Sequence, residues 1–77
     1  MITLNSLITN APASGDSQTT CSDWFAQCKI WAESNNRDDV ETMSDTAIYT
    51  SQNETIRSSF RIEILSILKA IQENGGV

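Results

Sequence analysis

Apolar residues recur at spacings of three and four through the last third of the chain. Ile56, Phe60, Ile64, Ile67, Leu68 and Ile71 fall within one sector of a helix, which is the signature of an amphipathic α-helix. Ser51 and Glu54 offer an S-x-x-E capping box before this run, and Asn74-Gly75-Gly76 offers a left-handed-tolerant stop after it. The pattern predicts a helix over about 52–73. A second stripe is made of Cys21, Trp24, Phe25, Cys28, Trp31 and Ala32, with Asp23, Gln27, Lys29 and Glu33 around the other side. It predicts a helix over about 21–34, opened by a Thr20/Asp23 capping box and ended by Asn35-Asn36. Both tryptophans lie on this stripe, so it is expected to meet the C-terminal helix.

Between the two, Val40, Met43 and Ala47 are spaced for one face of a shorter helix over about 39–48, with Asp38 or Asp39 as its cap. Ile48, Tyr49 and Thr50 bring β-branched and aromatic side chains that weaken the helix, so a break is expected near Thr50. Residues 2–8 fit one helical turn about as well as a short strand; a short helix after Thr3 is the reading adopted. Residues 10–19 hold the only proline and many Ser, Thr, Asn and Asp residues, and read as a mobile loop. The fold class is all-α: a small bundle of two main helices, a shorter middle helix and an N-terminal turn, in one domain over 1–77.

Composition narrows the function more than it names it. A net charge of −5 argues against unaided binding to nucleic acid or an anionic membrane, since both rest on Lys/Arg clusters. The N-terminal stretch has no Lys or Arg before Lys29 and no continuous apolar block, and no run is long enough to span a bilayer. The chain therefore reads as cytoplasmic. With no histidine, the commonest general base and the Ser–His and Cys–His nucleophile pairs are missing. Two cysteines without histidine do not complete an ordinary structural zinc site, and three glycines leave no phosphate-cradling loop. The expectation is a non-catalytic protein without cofactor or metal. Cys21 and Cys28 lie about 10.5 Å apart along a helix, beyond disulfide reach, and read as reduced core thiols.

Two features point to binding. Ile62 sits nearly opposite the stripe of the C-terminal helix and Leu65 at its edge, while Ile30 points away from the aromatic stripe. Together they form a candidate apolar contact face. Asp38, Asp39, Glu41 and Asp45, with Glu33 before them, are set against a single base, Arg37. They form a candidate acidic surface that would steer a partner carrying a basic face.

A third feature is the spacing Ser17, Thr20, Trp24, Cys28, Ile30, preceded by ITLNSLIT. Over about the first 31 residues it resembles winged-helix phage excisionases, in which this run is the recognition helix. That resemblance implies DNA binding. The arginines such a helix would carry are replaced here by Ser22, Asp23, Ala26 and Gln27, and the acidic 35–45 segment stands where a basic wing would follow. The reading adopted is a non-catalytic protein-binding module of bacterial or phage type that binds and modulates, or inhibits, a larger protein. A homo-oligomeric assembly subunit is the first alternative and an excisionase-like DNA binder the second.

Overall fold

The computed structural model describes residues 1–75, and within them the chain forms four α-helices and no strand. These are α1 (Leu4–Thr9), α2 (Gln18–Ser34), α3 (Asp38–Tyr49) and α4 (Glu54–Glu73). The all-α class with two long helices, a shorter one between them and a short N-terminal helix is what the hydrophobic pattern gives. Its radius of gyration of 11.3 Å matches the roughly 11.5 Å of a fully packed chain of this length.

The helix ends show where local chemistry overrode the expected boundaries. In α1 the helix-or-strand ambiguity is resolved by a reciprocal cap. The Ser6 N–H donates to Thr3 Oγ1, and the Thr3 N–H donates to Ser6 Oγ, both at 3.1 Å. Helix α2 begins at Gln18 rather than Cys21, because Ser17 is extended and its hydroxyl takes the Thr20 N–H at 3.2 Å. The expected Thr20/Asp23 box does not form: the helix is already running when it reaches Thr20. Its end is as expected, with Asn36 at φ 56° and the Arg37 N–H reaching back to the Ala32 carbonyl at 2.9 Å.

Helix α3 has Arg37 at its N-cap without any side-chain cap, so neither Asp38 nor Asp39 serves as one. Both lie inside the first turn with Glu41, where negative charge meets the positive end of the helix dipole. Helix α4 is capped by Asn53, whose side-chain oxygen takes the Ile56 N–H at 3.0 Å, and not by Ser51. Ser51 is withdrawn from that role by burial. Its hydroxyl donates to the Ile48 carbonyl at 2.9 Å and accepts from Ser22 Oγ at 2.8 Å. The α4 stop holds at Asn74 and at Gly75, which is at φ 100°. The expected contribution of Gly76 lies outside the described residues.

The aromatic stripe of α2 is buried in full and α2 meets α4 as expected, but the helix that lies closest to α2 is α3. The reason is side-chain size. Val40, Ser44 and Ala47 on α3 are small and fully buried, so the axes of α2 and α3 can approach closely. Helix α4 contributes Ile64, Leu68 and Ile71, with Phe60 and Ile67 half-buried, and Ile56 is left 39% exposed outside the core. Helix α1 bridges α2 and α4 through Leu4 and Leu7. Trp24, 3% exposed, donates its indole N–H to the Leu7 carbonyl at 2.9 Å, meeting one of the acceptors that a helix end leaves open. Residues 10–17 connect α1 to α2 with Pro12 buried, the Ala13 N–H on Asp16 Oδ2 at 2.7 Å, and Arg61 Nη1 on the Pro12 carbonyl at 3.3 Å.

Candidate interaction surface

Helix α4 has two faces because its sequence carries two patterns. The core stripe turns Ile64, Leu68 and Ile71 inward, and the positions from its edge round to nearly the opposite side carry Arg61, Leu65, Lys69 and Ile62. Ile62 stands 57% exposed, and Leu65 is half-buried at the edge of the core. With Arg61, Ser66 and Lys69 they line a shallow groove of about 280 Å³. Arg61 is drawn toward the loop by its bond to Pro12, which leaves its Nε buried without a protein acceptor. Lys69 is exposed and, among the described residues, has no ion-pair partner. The groove therefore combines an apolar floor with two cations, in a protein whose net charge is −5.

Ile30 is 54% exposed but lies elsewhere. It lines a larger open cleft of about 680 Å³ with Trp31, Ser34, Asn35 and the first residues of the chain, among them Ile2 and Leu4. The two clefts share no lining residue. Of the three apolar candidates, Ile62 and Leu65 are brought together on one surface, and Ile30 belongs to another.

The acidic candidates also divide. Asp38 and Asp39 are exposed in the first turn of α3, and Glu41, in the same turn, is half-buried. Asp45 is engaged with Lys29 Nζ at 2.9 Å. The hydrogen bond and charge of Asp45 raise the Lys29 pKa above its ordinary value. Both groups are partly in water, so the pair adds little stability. Asp45 is thus the acid least available to a partner.

Arg61, Ser66 and Lys69 join the surface without having been sequence candidates, although Arg61–Leu65–Lys69 is an i, i+4 row in the sequence. Tyr49, 79% exposed at the end of α3, is a further exposed residue outside the candidates. Cys28 is fully buried and its thiol is pushed up to about 12 by desolvation; Cys21 is buried too, and both are free. Among the described residues, no three of His, Cys, Asp and Glu come together as metal ligands, and no helix is long and apolar enough to cross a membrane. No family model, curated protein or solved structure matches the chain.

Proposed function

We propose that this chain is a non-catalytic protein-binding module: a small cytoplasmic protein of bacterial or phage type that binds a larger protein and modulates or inhibits it. The observation that carries this reading is the outward face of α4. Ile62 is held in water by a helix whose opposite side is fully committed to the core, and it sits in a groove with Leu65, Arg61 and Lys69. An exposed branched side chain on a rigid helix, ringed by long polar ones, has the form of an interface anchor. The free acids Asp38 and Asp39 would add steering toward a basic surface on the partner, through association rate more than affinity. DNA binding is less well supported, since α3 occupies the place of a wing and is acidic at its start.

The test is Ile62→Asp. Its side chain is more than half in water, so folding should tolerate the change within about 0.5 kcal/mol. Affinity capture from the native host with wild-type bait should retain a specific protein that Ile62→Asp bait loses. Capture of the same protein by both baits, with both folded by circular dichroism, would refute the assignment of this face.

A further inference from the structure

On a helical wheel, the outward sector of α4 contains two parallel i, i+4 rows: Glu54–Ser58–Ile62 and Arg61–Leu65–Lys69. Together they span about 100° of the helix surface, and each is about 12 Å long. One row starts with an acid and ends with an apolar residue. The other ends with a base and carries an apolar residue at its centre. Glu54 and Lys69 are both exposed, and neither has an ion-pair partner among the described residues. Between them the surface is made of half-buried Ser58, exposed Ile62 and half-buried Leu65.

A surface with this order is complementary to itself when turned end for end. We propose that the outward face of α4 binds a second copy of this chain, with the two α4 helices antiparallel and the two-fold axis beside Ile62. In that arrangement each row lies along the other row of the partner copy. Leu65 faces the small Ser58, Ile62 lies by the axis against its counterpart, and Lys69 comes opposite Glu54 at both ends. The large side chain meets a small one and the two free charges meet their opposites, which are the conditions for an isologous contact. Arg61 does not crowd the axis, because its guanidinium is turned to the Pro12 carbonyl. Glu73, the acid one turn beyond Lys69, lies past the end of the facing row. The net charge of −5 on each copy opposes the association, so the dimer is sought up to high protein concentration.

This inference rests on the outward face of α4 being a contact surface and adds the occupant. The experiment is sedimentation of the full chain from low micromolar to near-millimolar concentration, with two charge reversals. Wild type should pass from monomer to dimer across that range. Lys69→Glu alone sets two acids against each other at both ends, and Glu54→Lys alone sets two bases there; each should sediment as a monomer throughout. An equimolar mixture of the two variants restores an opposite pair at each end and should regain the dimer. Both positions are exposed, and helical circular dichroism confirms that the variants fold. A wild type that stays monomeric overturns the proposal, as does a dimer that either reversal leaves intact or a mixture that stays monomeric. A monomeric wild type whose host partner is still lost by Ile62→Asp would keep the contact face and remove the second copy. A dimer with the predicted charge pattern, whose Ile62→Asp bait still captures that partner, would keep the second copy and remove the larger partner from this face.

Discussion

Replacing Trp24 by Phe isolates the contact that ties α1 to the rest of the molecule. The indole N–H donates to the Leu7 carbonyl at 2.9 Å, and Leu7 itself is 1% exposed. Phenylalanine keeps a ring in the site and removes the donor. Leaving that carbonyl unpaired costs about 1–3 kcal/mol. The smaller ring also leaves a void, worth about 1 kcal/mol more. The sum, roughly 2–4 kcal/mol, compares with a total stability of about 4–12 kcal/mol for 77 residues. The variant should fold, with a visibly lower urea midpoint and an unchanged slope. The loss should also be local. Helix α1 has six residues and is held by Leu4, Leu7 and this bond, so its amides should lose exchange protection before those of α2 and α3. Trp31 remains as the fluorescent reporter of global unfolding. A destabilisation below about 0.5 kcal/mol, with α1 amides exchanging as in wild type, would show that the bond does not hold α1 in place.

Two further expectations test the caps and the buried thiol. Asn53→Ala should cost about 1 kcal/mol as the loss of an N-cap, whereas Ser51→Ala should cost more, because it breaks the buried bond from Ser22 as well as that to Ile48. Denaturant melts of the two variants give the order, and the reverse order would show that the two bonds of Ser51 hold less than the Asn53 cap. Cys28, whose thiol is raised from 9.0 to about 12, keeps its proton in the fold at pH values where the unfolded chain has lost it. Its contribution to stability is thus complete below pH 9 and is lost as pH rises toward 12. Cys28→Ala should flatten that part of the stability profile, and thiol reagents at pH 8 should label Cys28 only on unfolding. Labelling at the rate of a free thiol would contradict its burial.

The parts of the fold that were legible in the sequence are those set by period. The α2 stripe is buried residue for residue, and the inward residues of α4 are drawn from its predicted run. The cap assigned to α4 failed because a hydroxyl had two uses. Ser51 and Asn53 both suit the start of α4, and only the fold reveals that Ser22 takes the first. The α2–α3 pairing was missed because the stripe was matched to the largest apolar surface, when the small side chains of α3 permit the closest approach. On the candidate surface, exposure of Ile30 and Ile62 followed from their wheel positions. Their separation into two clefts did not, since it depends on where α1 lies. Arg61 and Lys69 do not stand out in a chain of net charge −5, and only the groove sets them beside Ile62 and Leu65.

The seating of α1 against α4 also bears on the order in which the molecule assembles. Gln72 reaches Asn5 across 67 residues of chain, whereas Lys29 reaches Asp45 across 16. Closing the longer loop costs about 1.3 kcal/mol more in chain entropy. The α2–α3 hairpin, turned by a single left-handed Asn36, has only near neighbours to find. It is therefore the natural nucleus, with α1 and α4 closing over it afterwards. Trp24, bonded across that closure to the Leu7 carbonyl, would shift its emission in the final kinetic phase.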